Sequence, residues 1–410
     1  MTDVLAPADP ESLGVSRAGL AAIDRFMADE IAKGDVPGAA LLVARRGRLI
    51  HRSAQGVTNL STGEPVTDET IFVIYSMTKP VTAAAMMILW DEGRWSPDDP
   101  IAKHLPEFAD VKGPDGAAPD HPPTMRELMT HTAGFGYGLI VEELGGIERA
   151  DEVDRGYVAA RVWQAEDLAD FSRRVASVKL AYQPGTQFRY SLSMDLQGAI
   201  IERLIGESLA DFMRRRLFEP LGMADTDFFV PEDKQARLAT VYHKYGVPTV
   251  TEVKSTNFRR DGKAIPKIQS GGGGLYSTAM DYARFAQMLL NGGELGGRRV
   301  LSPEAVTMMT SNHIPETLLE RRFVIGAHTF RPGYGYGFDG AVFHDPQLAG
   351  SPVGRGTYQW DGASGVWFWV DPVNEVVFVG LIQRMMQEGM AAHQSVTQTM
   401  LAEAMFPGAA

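Results

Sequence analysis

A lysine set inside an apolar stretch constrains this chain more than any other feature of it. Ile71-Phe72-Val73-Ile74-Tyr75 is an apolar, β-branched run that reads as a short buried strand or a tight approach. Val81 to Trp90 is rich in Ala and Met and reads as a buried helix. Ser76-Met77-Thr78-Lys79-Pro80 joins the two, and Pro80 is tolerated only in a first helical turn, where backbone N–H groups lack partners anyway. Ser76 is therefore expected at the helix N-terminus, with Lys79 one turn on and on the same face. A lysine held between Ile74 and the Ala83-Ala84-Ala85-Met86-Met87 run needs a partner or a depressed pKa.

The 410 residues allow roughly two or three domains. Hydrophobic content of 44% and charged content of 22% suit a globular protein with a sizeable core. A net charge of −12 disfavours nucleic acid and anionic membrane as partners. With no cysteine, there can be no disulfide framework, cysteine nucleophile or thiolate metal site. The start, Met1-Thr2-Asp3-Val4-Leu5-Ala6-Pro7, has neither a basic region nor an apolar region of a leader, and no run of about 18 apolar residues follows. The expectation is a soluble, cytoplasmic protein.

Along the chain, Ser16 is expected to cap a helix carrying Leu20, Ile23, Met27 and Ile31. Val36 to Ser53 reads as a hairpin turning at Arg46-Gly47. Ser96 to Pro123 reads as a long loop, Thr124 to Thr130 as a short capped helix, and Gly134 to Gly146 as a glycine-rich stretch. Helices are expected over Val153–Val178, Met194–Phe218, from a Ser277 cap to Leu290, and from Ser302-Pro303-Glu304. Arg331–Phe338, Thr357–Gly362, Val366–Val370 and Val376–Ile382 read as strands, with Asp371-Pro372-Val373-Asn374 a turn, and Met385–Phe406 as a closing helix. Strands from the two chain ends could share one sheet around a mostly helical middle.

The spacing Ser76-x-x-Lys79 is that of an acyl-transfer nucleophile, with the helix dipole and the ammonium both favouring an alkoxide. The competing reading makes Ser76 an ordinary N-cap. No metalloprotease motif, P-loop or G-x-S-x-G elbow occurs. Gly271-Gly272-Gly273-Gly274 reads as a tight turn, and His131 as a structural hydrogen-bonding group. Tyr190, in Phe188-Arg189-Tyr190-Ser191, fits the need for a further base if a cation such as Lys79 lowers its pKa. An oxyanion site needs two backbone N–H groups. Ser76 can give one, and an edge strand at Trp360-Asp361-Gly362-Ala363 can give the other, Gly362 allowing close approach.

Together these three stations resemble the serine β-lactamase-like family, which includes class C β-lactamases, D-Ala-D-Ala peptidases, family VIII carboxylesterases and a statin-type acyltransferase. Ser76-Met77-Thr78-Lys79-Pro80 resembles its S-x-x-K station, Tyr190-Ser191-Leu192 its Y-x-N or Y-S-x station, and Trp360-Asp361-Gly362 its K-T-G or W-x-G station. Leu128 to Gly134, Pro220 to Met223 and Gly271 to Ala286 are similar to the family as well. Leu192 stands in place of an amide and Trp360 in place of a cation, both moving the chain toward family VIII esterases and the acyltransferase.

The resemblance implies an α+β fold, an antiparallel β-sheet flanked by helices, formed by 1–92 and 265–410, with a mostly helical domain, 93–264, over the cleft. It implies Ser76 as nucleophile, Lys79 and Tyr190 as the proton-transfer pair, and Ser76 and Ala363 as the oxyanion site. Trp360, Gly362, Tyr75 and Leu192 would bind a small ester, with no cofactor and no metal. Arg355 is the nearest sequence candidate for a substitute cation. Transacylation to an alcohol or amine, and a non-catalytic binding protein on the same fold, are the alternatives. Oligomeric state is left open.

Overall fold

In the computed structural model, which describes residues 4–138, 151–244, 249–253, 262–314, 318, 323–325, 328–330, 332–385 and 392–408, the Ser16 hydroxyl accepts the Gly19 N–H and opens helix α1 (Arg17–Ala32). Strands β1 (Gly38–Arg45) and β2 (Arg48–Gly56) form the expected hairpin. Its two turn residues, Arg46 and Gly47, take φ of 52° and 71°, the left-handed pair that matches the strand twist.

Strand β3 (Phe72–Val73) follows, then helix α2 (Thr78–Asp91), in which every residue from Thr78 to Leu89 is buried. The middle of the chain carries α3 (Met125–Met129), α4 (Glu152–Ala159), α5 (Leu168–Ala176), α6 (Ser193–Ile205) and α7 (Leu209–Met213). Two long helices expected here are interrupted. Val153–Val178 breaks between α4 and α5, where Arg161 takes a φ of 52°. Met194–Phe218 breaks at Gly206, whose φ of 75° ends α6, and Ser208 caps α7 afresh by accepting the Asp211 N–H.

Strand β4 (Tyr276–Ser277) pairs with β3. Helix α8 (Ala279–Leu290) is capped by Thr278, not by the expected Ser277, whose side chain instead meets Thr226 at 2.8 Å. Helix α9 (Pro303–Thr310) opens at Ser302 as anticipated. Strands β5 (Tyr334–Tyr336), β6 (Ala341–Phe343), β7 (Tyr358–Asp361), β8 (Trp367–Asp371) and β9 (Val376–Ile382) precede the closing helix α10 (His393–Met405). The part of the glycine-rich stretch from 139 to 146, Arg331 at the head of its strand, and 386–391 of the closing helix lie outside the described residues.

The sheet runs β5-β6-β7-β8-β9-β1-β2, antiparallel at every step. It therefore joins the two ends of the chain, with Ala39 opposite Ile382 and Arg45 opposite Val376. This is the antiparallel sheet, built from both chain ends and flanked by helices, that the resemblance implied. Helices α1 and α10 bury Leu20, Ile23, Met27 and Leu401 on one face, against Trp367, Trp369 and Phe378. Helix α8 covers the other face, against Phe368, Val377 and Val379. No helix among the described residues is long and apolar enough to cross a membrane.

Candidate active site

Tyr75 takes a φ of 40°, a left-handed conformation costly for a bulky residue and found where surrounding structure enforces it. The 3₁₀ turn Tyr75–Met77 then runs straight into α2, which begins without a side-chain cap. Ser76 is thus not the N-cap of that helix. Its Oγ is 3.2 Å from Lys79 Nζ, one turn along, which donates to it. Lys79 is fully buried. Its ammonium also donates to the Gly272 carbonyl at 2.5 Å and lies over the rings of Tyr190 and Tyr137, 4.6 Å and 5.7 Å from their centroids.

The glycine run supplies that carbonyl. Gly271 O accepts the Thr82 hydroxyl at 2.8 Å, and Leu275 N–H donates to Thr78 Oγ1 at 3.1 Å, so the run lies along the first turns of α2. From the other side α6 presses on it. A Cβ at Gly271 would stand 2.4 Å from Met194 O, and one at Gly272 would stand 2.8 Å from Asp195 Oδ2. The buried Asp195 carboxylate accepts from Ser270 Oγ at 2.5 Å and from Gly272 N–H at 3.2 Å, and so fixes the segment that holds the lysine.

Tyr190 reaches the same oxygen from 114 residues away, its OH donating to Ser76 Oγ at 2.8 Å. Ser76 Oγ therefore accepts from a phenol and an ammonium at once, an arrangement that favours negative charge on the oxygen. The expectation that Lys79 lowers the Tyr190 pKa is not met. Burial of the hydroxyl, aided by the neighbouring Tyr137, holds it well above the ordinary value of 10, against the opposing pull of its bond to Ser76. In the resting protein Tyr190 is a neutral phenol that donates. Its ring stacks parallel to Tyr137, with centroids 5.6 Å apart.

His131 makes the hydrogen bonds its reading anticipated, and places them around Tyr190. Its carbonyl accepts Arg189 N–H at 2.9 Å, and its Nδ1 accepts Ser191 N–H at 3.1 Å. Burial, together with the positive charge of Lys79, pushes its pKa well below 6.5.

The exit of β7 forms the remaining wall. Gly362 passes so close to the chain that a Cβ there would lie 2.3 Å from Ile74 O. Ser364 Oγ donates to Val73 O at 3.0 Å, pinning the turn beside Tyr75 and Ser76. The half-buried Ala363 packs beside the cluster that contains Tyr75, and its N–H donates to no acceptor among the described residues. Trp360 places its ring 5.9 Å from Tyr190 and edge-on to Tyr336.

Two residues singled out from the sequence have other surroundings than an open, polar cleft. Leu192 is fully buried in the hydrophobic core, where its side chain gains more than it would beside a polar cleft. Arg355 is exposed and sits beyond the far end of β7. Its neighbour Gly354 donates to Asp371 at the end of β8 opposite Trp367, the residue that pairs with Asp361. Sequence reasoning had no signal for Asp195, read His131 only as a structural hydrogen-bonding group, and read the glycine run that supplies the Lys79 carbonyl partner only as a tight turn. Among the described residues no cluster of His, Asp and Glu could hold a metal ion.

Known proteins resemble this chain over most of its length. A family model described as Beta-lactamase matches residues 22–398. Protein Rv1367c of Mycobacterium tuberculosis is 34% identical over 371 residues, covering 85% of this chain and 86% of that protein. Esterase EstB of Burkholderia gladioli is 31% identical over 393 residues, covering 88% and 90%. Among solved structures, EstCE1, described as a hydrolase with promiscuous acyltransferase activity, has a TM-score of 0.78 at 27% identity and covers 95% of this chain and 99% of its own.

Proposed function

The chain belongs to the β-lactamase family, and from that membership we propose that it is a serine carboxylesterase acting on small, uncharged esters. The observation that carries the reading is the double hydrogen bond to Ser76 Oγ, from Tyr190 OH at 2.8 Å and Lys79 Nζ at 3.2 Å. In the reacting form the pair is one proton short, with Lys79 a neutral amine beside the Tyr190 phenol; Ser76 attacks the ester carbonyl and gives its proton to that amine. The pair returns a proton to the departing alcohol oxygen, leaving an acyl-enzyme. Water then attacks the acyl carbonyl, gives its proton to the same pair and releases the acid, while Ser76 Oγ is reprotonated. The Ser76 and Ala363 N–H groups hold the oxyanion in both steps.

Substrate charge follows from what surrounds the nucleophile. Trp360 faces Tyr190 where a cation would meet a carboxylate, and Arg355 lies beyond the other end of the strand. A carboxylate entering this site would lose hydration and meet no cation besides the buried Lys79, which Ser76 and Gly272 already engage. A relative described as an esterase supports ester chemistry, and EstCE1 supports a second reading, transfer of the acyl group to an alcohol in place of water.

Incubation of the chain with a short-chain p-nitrophenyl ester and, separately, a fluorophosphonate tests the proposal. Turnover of the first and peptide-mapped labelling of Ser76 by the second are expected. Turnover that survives Ser76→Ala would overturn it. Added alcohol divides the readings: ester product in place of acid supports transfer.

A further inference from the structure

We propose that His131 is a positioning residue for Tyr190, setting the distance from the phenol to Ser76; this rests on the reading of Ser76, Lys79 and Tyr190 above. Two backbone hydrogen bonds carry it. Arg189 N–H donates to His131 O at 2.9 Å and Ser191 N–H donates to His131 Nδ1 at 3.1 Å, so a single residue grips the chain on both sides of Tyr190. Between those two bonds the imidazole lies against the phenol ring, with centroids 4.7 Å apart. Backbone before, backbone after and ring in the middle are thus all fixed to one side chain and its own main chain.

His131 is itself held firmly. It takes a φ of 58°, in the left-handed region, and it is buried. Tyr182 OH donates to the His131 carbonyl at 3.0 Å. Ser191 Oγ lies 2.9 Å from Nδ1 and 2.7 Å from Ser193 Oγ, which ties the clamp to the first turn of α6. Since Nδ1 accepts the Ser191 N–H, it carries no proton, and the neutral ring bears its hydrogen on Nε2. Phe188 and Tyr336 close around the same ring edge-on and tilted, at 5.7 Å and 5.6 Å. Strain at a buried, positive-φ residue beside reacting groups is the pattern of a residue whose conformation serves the site.

A histidine that served only packing would need neither the acceptor at Nδ1 nor contact with both neighbours of Tyr190. The two needs separate by substitution. His131→Phe keeps a ring against Tyr190 and removes the acceptor. His131→Asn keeps an acceptor near the Nδ1 position and is at ease with positive φ. The clamp predicts that His131→Phe lowers kcat roughly 10- to 100-fold with KM little changed, since a displacement of about 1 Å has effects of that order. His131→Asn should recover most of that loss.

The experiment measures kcat per Ser76 titrated with a fluorophosphonate, so that misfolded enzyme is not counted. It adds Tyr190→Phe alone and combined with His131→Phe. If His131 acts through Tyr190, the combined variant is no slower than Tyr190→Phe. Multiplicative losses, or equal kcat per titrated site in His131→Phe and the wild type, would overturn the inference. If His131→Phe does not fold, His131→Gly, compatible with the same φ, takes its place in the cycle. Failure of the underlying reading looks different: wild-type protein would then show no ester turnover or no label on Ser76.

Discussion

Ser76 and Lys79 occupy one turn at the head of α2, three residues apart, whereas Tyr190 reaches them from a loop held by long-range contacts. The helix alone dictates the first half: i and i+3 lie on one face, and burial forces the ammonium toward polar atoms. The second half has no such local rule. Its phenol is aimed by His131, 58 and 60 residues upstream of the positions it grips, and by the start of α6. The contrast teaches that a site can be rigid in one half through secondary structure and in the other through a few hydrogen bonds. The halves should therefore fail differently.

The sharpest way to break the local half is Ser76→Ala. It should remove ester turnover by about 10⁴- to 10⁶-fold while far-UV circular dichroism and melting temperature stay near wild type. Retained activity would mean that the nucleophile lies elsewhere. Next come Lys79→Ala and Tyr190→Phe, one from each half. Each should slow acylation by roughly 10²- to 10⁴-fold, and the double variant should be little worse than either. Stopped-flow acylation of a slow ester would reveal this, and independent losses would show that the halves do not act as one unit.

Charge discrimination is the next effect in size. Neutral esters should outrun their carboxylate-bearing analogues, and anionic cephalosporins, by about one to two decades in kcat/KM. The missing charge-assisted bond is of order 1.5–3 kcal/mol. Equal turnover would indicate a second cation, besides Lys79, close to the site. Asp195→Ala tests whether the lysine half also relies on tertiary support. Removing the acceptor of Ser270 Oγ and Gly272 N–H should lower kcat about 10-fold and stability by about 1–3 kcal/mol, read by urea unfolding. An unchanged kcat would make α2 sufficient by itself.

The smallest predicted effect is a pH slope belonging to the distant half. Lys79 from α2, Tyr182, Tyr190 and Tyr336 face His131. Burial and the lysine hold its folded pKa well below the unfolded 6.5. Below pH 6.5 the unfolded chain takes a proton that the folded chain refuses, so stability falls as pH drops. His131→Asn should flatten that part of the stability profile between pH 6.5 and 5, and an unaltered slope would assign it to other groups.

The same division decides what could be read in the sequence. Ser76, Lys79 and the burial of α2 were legible because periodicity and one proline fix them. Hairpin β1–β2 was legible from its turn, and the shared sheet from strands at both ends. The break at Gly206 was missed because apolar residues continue across it at helical spacing, although Ser208 carried a capping signal. That Arg355, the candidate substitute cation, lies at the other end of β7, and that Leu192 is fully buried, could not be read, because sequence proximity says nothing about which end of a strand, or which side of a turn, a residue takes. The His131 clamp depends on a positive φ and on contacts across the chain, which no local pattern encodes.

The order of strands in the sheet has a bearing on synthesis. All eight residues of β1 are buried, and its partner β9 is nearly the last strand made. At the end of that pairing, 329 residues separate Arg46 from Glu375, which it bonds. At ribosomal rates of 5–20 residues per second, β1 waits on the order of half a minute for its neighbour. During that interval an apolar strand edge is open to other nascent chains, and completion of the sheet is slow because the contacts are so distant. A chain cut short before Val376 would keep that edge permanently, so quality control of unfinished copies would meet its strongest aggregation signal near the N-terminus, far from the break.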